Sequence, residues 1–172
     1  MGYTLPVRRL LNGLANVHRP LENGGPTING RPKLDGWLRA DPWRVIHFNF
    51  GLHDLRIMET GQHQVELPAY EDNLRAMVGR LKQTGAKLIW ATTTPVPVGK
   101  VSPARNAADV IEYNLAARRI MLENGIEIDD LFTLVLPRLS TLQLPVNVHY
   151  KPEGYEVMAA QVARSIRAAL AG

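Results

Sequence analysis

The chain has 172 residues, 45% of them hydrophobic and 21% charged, ordinary values for one globular domain with a core of its own. It has no apolar run of about 18 residues or more, which excludes a transmembrane helix, and no cysteine, which excludes disulfides, thiolate metal sites and cysteine nucleophiles. The net charge of +4 is modest, and the basic residues are scattered along amphipathic segments without interleaved aromatics, so no nucleic-acid partner is expected.

In chain order, "PVRRLLNG" (6–13) reads as a helix stopped by glycine. Its charges also sit inside what would be the apolar part of a signal peptide, so none is visible here. As given the chain is expected in the cytoplasm; a leader upstream would send it to the periplasm or outside. "ANVHR" (15–19) reads as a weak strand, and "RPLENGGPTINGRPKLDG" (19–36) as a Gly/Pro-rich loop after it. "RVIHFNF" (44–50) is short, β-rich and bounded by turns, as buried strands are. "YEDNLRAMVGRLKQTG" (70–85) places Leu74, Met77, Val78 and Leu81 on one helical face. "KLIWATT" (87–93) is a second buried strand, and "TPVPVGKVSPAR" (94–105) is the loop after it. "ARNAADVIEYNLAARRIMLENG" (104–125) reads as a helix burying Val110, Tyr113, Ala117, Ile120 and Met121. "IEIDD" (126–130) is another weak strand. A last helix starts near Pro152, with Tyr155, Met158, Val162, Ile166 and Leu170 inward.

Strands alternating with helices imply an α/β fold: a parallel sheet with helices on both faces, one domain over residues 1–172. Ligands in such sheets bind at the carboxyl ends of the strands. Three places gather there. "FNFGLHDLR" (48–56) puts His53 and Asp54 just past a strand. The Gly24–Gly25 loop follows another, and "VNVHYKPEGY" (146–155) puts His149 just before a helix. A histidine in that loop can take a proton from a nucleophile. The plainer readings are a surface loop histidine for His149 and a turn-closing pair for His53 and Asp54. His47 reads as a core or sheet-face residue, and His18 and His63 as residues without chemistry. A histidine beside an aspartate also occurs in metal-dependent phosphohydrolases, but no HxxxH or HxH spacing accompanies it, so no metal is expected. "NGGPTING" lacks the GxGxxG pattern, so no dinucleotide cofactor is expected either.

Four stretches in order, "NVHRPLENGGPT", "VIHFNFGLHDL", "KLIWATTTPVP" and "NVHYKPEGY", resemble the SGNH hydrolases, or GDSL-type esterases. The likeness is to the bacterial branch whose third block reads GLHD, and it spans nearly the whole chain. It implies a three-layer α/β/α sandwich of flavodoxin-like type. It implies ester hydrolysis, in which a serine attacks an ester carbonyl and histidine is its base. The substrate implied is a small-molecule or carbohydrate ester with a small acyl group such as acetate. By resemblance His149 is the base and Gly25 gives an oxyanion amide. His53 stands where the pattern usually has asparagine and would donate a ring N–H. Asp54 would orient His53 or close the turn.

Two departures accompany the resemblance. Three residues before His149 the pattern has aspartate and this chain has Val146; Asn147 is polar but uncharged. A complete Ser-His-Asp triad is therefore not expected. The GDS block that ends the family's first strand is also absent. The only serines are Ser102, Ser140 and Ser165, none of them before the first helix. The expectation is a fold without its first strand, with Met1 an internal methionine of a longer protein. The alternative is a short, catalytically inactive product of the same fold that binds a ligand or a partner.

Overall fold

A computed structural model describes residues 2–39 and 41–172. Three parallel strands form its sheet: β1 (Val45–Phe48), β2 (Lys87–Ala91) and β3 (Glu127–Asp129), in the spatial order β1-β2-β3. Val45 pairs with Lys87 and Phe48 with Trp90; Ile89 pairs with Glu127 and Ala91 with Asp129. The alternation of side chains along each strand sorts the core into two layers. Phe48, Leu88, Trp90 and Ile128 face α4 (Leu67–Lys82) and α5 (Ala107–Glu123). Ala91 faces α1 (Thr4–Leu10) and α8 (Pro152–Ala171). This is an α/β/α arrangement.

The inward stripes read from the sequence on α4 and α5 are buried throughout: Leu74, Met77, Val78 and Leu81, then Val110, Tyr113, Ala117, Ile120 and Met121. Each such large apolar side chain contributes about 1.5–3 kcal/mol on leaving water. The stripe on α8 is met less fully. Met158 and Val162 are buried, but Tyr155, Ile166 and Leu170 are only half-buried. Small residues do the closest packing there, with Ala159 and Ala163 at 0% exposure against the sheet and α1.

Residues 15–19 are not a strand. The segment pairs with no strand, and among the described residues the outer side of β1 has no neighbouring strand. Arg8 occupies the segment instead, its Nε and Nη2 donating to the Val17 carbonyl at 3.1 and 2.9 Å. The segment 19–36 is also less of a loop than its glycines suggest. It holds α2 (Thr27–Gly30), a 3-10 turn (Arg31–Lys33) and the start of α3 (Leu34–Leu38). Leu34 and Leu38 seat that run against Met77 and Leu81 of α4. Two further short helices, α6 (Leu131–Val135) and α7 (Leu139–Leu142), follow β3. Asp130 caps α6 by accepting the Thr133 N–H at 3.1 Å. Among the described residues no helix is long and apolar enough to cross a membrane.

His47 lies on the α1/α8 face of β1, and its Nε2 sits 3.0 Å from Asp129 Oδ2. The contact spans β2, whose residue paired with Asp129 is the small Ala91. Tyr3 meets the same ring edge-on, at 6.3 Å between ring centres. Burial, then the charge of Asp129, pushes the Tyr3 hydroxyl well above its ordinary range.

His63 is more than a passive loop residue. Its Nε2 is 2.8 Å from Asp109 Oδ2 on α5, and its Nδ1 is 3.4 Å from Glu66 Oε2. Burial pulls its pKa down, but the bonds to Asp109 and Glu66 outweigh burial and raise it. A raised histidine pKa stabilises the fold fully below the unfolded value of about 6.5. That stability is lost as pH rises through the folded value. The urea midpoint should therefore fall as pH climbs above about 6.5, and His63→Gln should flatten that fall. An unchanged slope in the variant would remove His63 as its source.

Candidate active site

The carboxyl ends of β1 and β2 are fixed by side chains acting on backbone. Asn49 Nδ2 donates to the Ala91 carbonyl at 2.7 Å and to Thr93 Oγ1 at 3.1 Å. Asn114 on α5 accepts the Thr93 N–H and donates to the Thr93 carbonyl, both at 2.8 Å. Tyr70 donates its hydroxyl to the Phe50 carbonyl at 3.0 Å. The chain then turns sharply at Gly51, where φ is 143°. A Cβ at Gly51 would stand 2.6 Å from Thr93 Oγ1, so a side chain is excluded by contact as well as by conformation. Leu55 N–H closes the turn on the Gly51 carbonyl at 3.0 Å, which presents His53 and Asp54 from a compact loop.

Asp54 turns inward. It is 0% exposed, as is Thr27. Its Oδ1 accepts the Thr27 backbone N–H at 2.7 Å and the Thr27 hydroxyl at 2.5 Å. Burial raises the Asp54 pKa, against the downward pull of those two bonds and of the backbone groups of Asp54 and Gly51. These bonds do not involve His53; the backbone groups of Asp54 and Gly51 also favour the carboxylate, in keeping with a part in closing the turn. The carboxylate ties the His53 loop to the segment that opens α2. Gly25 stands two residues before Thr27, at φ 65°, in the left-handed region that glycine enters without strain. The Gly25 N–H is folded onto Asn23 Oδ1 at 3.0 Å.

His53 is half-buried. Burial first, then the charges of Arg105, Arg56 and His149, lower its pKa and favour the neutral ring. His149 therefore lies near enough for its charge to reach His53. The His149 segment reaches this place through a short antiparallel bridge between Gln143 and Tyr150 and a bond from Leu144 N–H to the His149 carbonyl. Asn147 Oδ1 accepts the His149 backbone N–H at 2.9 Å, a side-chain turn that shapes the loop without touching the ring. Val146 has φ 48°, an uncommon conformation for a β-branched residue. His149 is exposed, and among the described residues nothing hydrogen-bonds its ring.

The structure thus joins the Gly25 segment to the His53 loop. The three serines lie elsewhere: Ser102 exposed in the loop before α5, Ser140 exposed on α7 and Ser165 buried on α8. Among the described residues no three His, Cys, Asp or Glu side chains are grouped to hold a metal ion. Thr27, Asn49, Asn114 and Arg105 had no signal in the sequence. Thr27 is one of many threonines, and only its place after Gly25 marks it.

The sequence model of the GDSL-like lipase/acylhydrolase family matches residues 7–157. The chain belongs to that family. Three solved structures show the same fold. The lipase/acylhydrolase from Enterococcus faecalis superposes with a TM-score of 0.78 at 18% identity, covering 96% of this chain and 85% of its own. The acetyl xylan esterase AlAXEase gives 0.77 at 15% identity, covering 96% and 90%. A catalytic mutant of Axe2, an acetylxylan esterase from Geobacillus stearothermophilus, gives 0.80 at 20% identity, covering 96% and 81%. A comparison with curated proteins finds no match.

Proposed function

We propose that this chain carries the base and the oxyanion donors of a serine ester hydrolase acting on a small acyl ester. His149 takes the proton of an attacking serine hydroxyl and returns it to the leaving alcohol. The carbonyl oxygen, negative in the tetrahedral intermediate, accepts the Gly25 N–H, the ring N–H of His53 and the serine's own amide. A neutral His53 suits this part, since one ring nitrogen donates and no second positive charge competes with His149. For the Gly25 N–H to serve, it must leave Asn23 Oδ1 as the substrate arrives. The observation that carries the reading is the tie from Asp54 to Thr27, which couples the two proposed oxyanion donors within a chain of this family.

Acetate on a carbohydrate alcohol is the proposed substrate, supported by the acetylxylan esterases among the similar structures. One observation favours a second reading, a ligand-binding protein of the same fold. Among the described residues none of Ser102, Ser140 and Ser165 hydrogen-bonds the His149 ring. A fluorophosphonate probe separates the readings. It should label a serine placed before Tyr3 at the end of an added strand, and it should leave the 172-residue chain unlabelled. No label on the added serine supports the ligand-binding protein.

A further inference from the structure

Two guanidinium groups lie beside the His53 loop without an acid. Arg105 is 8% exposed. Its Nε donates to the Leu52 carbonyl at 2.7 Å, and its Nη1 to the Pro103 carbonyl at 2.9 Å. Neither bond supplies negative charge. Arg56 is half-buried, and its Nε is enclosed without a partner. Among the described residues no carboxylate pairs with either group, although Arg9, Arg75, Arg80 and Arg119 each have one. Asp54, two residues before Arg56, has its Oδ1 committed to Thr27. The residues next to the two arginines are bonded to each other, Ile57 N–H donating to the Ala104 carbonyl at 2.9 Å, so Arg56 and Arg105 are held side by side at the His53 loop, and their charges act on each other and on His53.

Charges taken out of water are ordinarily paired, because stripping an ion of its hydration is costly even after relaxation. Two cations side by side add their own repulsion to that cost. Carbonyl oxygens relieve part of it, but a counter-charge is missing. The guanidinium group also has the planar, many-donor geometry that grips carboxylates and phosphates in two-point contact.

We infer that Arg56 and Arg105 form an anion subsite beside His53, and that the ligand of this chain carries an oxyanion group close to its ester. The word "ester" rests on the function proposed above; the anion subsite does not. An acidic sugar would present its carboxylate to the two arginines while its acyl group lay by His53 and His149. The same donors would also accept a phosphate group.

The test is calorimetric titration of the 172-residue chain with glucuronate, glucose and inorganic phosphate, with the ring signals of His53 and His149 followed by NMR. Glucuronate should bind at least tenfold more tightly than glucose and should shift both rings. Arg56→Gln, a change at a half-buried position, should weaken glucuronate about tenfold and leave glucose unchanged. Arg105→Lys keeps the charge but loses the two-point geometry, and should weaken glucuronate by a smaller factor. Phosphate binding tighter than glucuronate, with the same ring shifts, would assign the subsite to phosphate groups rather than acidic sugars. Equal affinity for glucuronate, phosphate and glucose would overturn the subsite, leaving Arg105 a strut between two loops. An anion preference that survives in Arg56→Gln and Arg105→Lys would overturn it as well. The two proposals fail separately. Hydrolysis of p-nitrophenyl acetate by a serine-bearing chain with no anion preference removes the subsite alone. Anion binding without hydrolysis removes the hydrolase alone.

Discussion

A strand ending in Gly-Asp-Ser, placed immediately before Tyr3, is expected to turn a chain inert toward p-nitrophenyl acetate into an esterase. Acyl transfer by this route needs a hydroxyl within hydrogen-bond reach of the base, about 2.6–3.2 Å in the competent complex. It also needs that residue's own amide aimed at the oxyanion. Both come from one turn, so one addition supplies both. The same strand would cover the outer side of β1, where no strand of the described residues lies. In the serine-bearing protein His149→Ala should lower kcat by about 10³-fold, within the range that positioned general bases contribute. His53→Ala should lower it by about 10²-fold, the lower end for a lost oxyanion donor. Asn147→Ala should act more weakly, because Asn147 holds the backbone of His149 and not its ring. Stoichiometric labelling of Ser102 or Ser140 in the 172-residue chain would show that the nucleophile has been misassigned.

The long elements were legible because their periods are strong. α4 and α5 repeat apolar residues at helical spacing, and β1 and β2 are dense runs of large apolar residues ended by turns. The two weak strands divide on a tertiary matter. Glu127–Asp129 pairs with β2 and forms, whereas residues 15–19 pair with no strand and do not. Local composition carries no information about that difference. The candidate site divides in the same way. Gly25, His53 and His149 stand in motifs whose order along the chain reveals them. The groups that hold them do not. Asp54 reaches Thr27 across 27 positions, and Arg105 reaches Leu52 across 53. Such pairings depend on how loops meet above the sheet, and no spacing rule encodes them. His63 shows the same limit. Its loop position gave no sign of the two carboxylates that the fold brings to its ring.

Asp54→Ala should cost about 2–6 kcal/mol, since two enclosed Thr27 donors lose their acceptor at about 1–3 kcal/mol each, while Asp54→Asn should cost less than about 1 kcal/mol. The alanine variant leaves the Thr27 N–H and hydroxyl enclosed at 0% exposure without their acceptor. It also releases the Gly25 segment from the His53 loop. Asparagine keeps an oxygen at the Oδ1 position, so both Thr27 bonds survive. Its amide takes the place of Oδ2, which is enclosed and has no partner in the native protein. Asparagine thus exchanges an unpartnered acceptor for an unpartnered donor and removes a buried charge at the same time. A pH dependence separates it further from the native chain. Burial raises the Asp54 pKa in the folded protein. A raised acid stabilises the fold fully below its unfolded pKa of about 4 and loses that increment as pH rises through the folded value. The native chain should therefore weaken over that interval and Asp54→Asn should not, so that the two urea midpoints draw together with rising pH or cross. An Asp54→Asn chain as unstable as Asp54→Ala across the whole interval would mean that the charge of Asp54, rather than its acceptor oxygen, holds the two loops together.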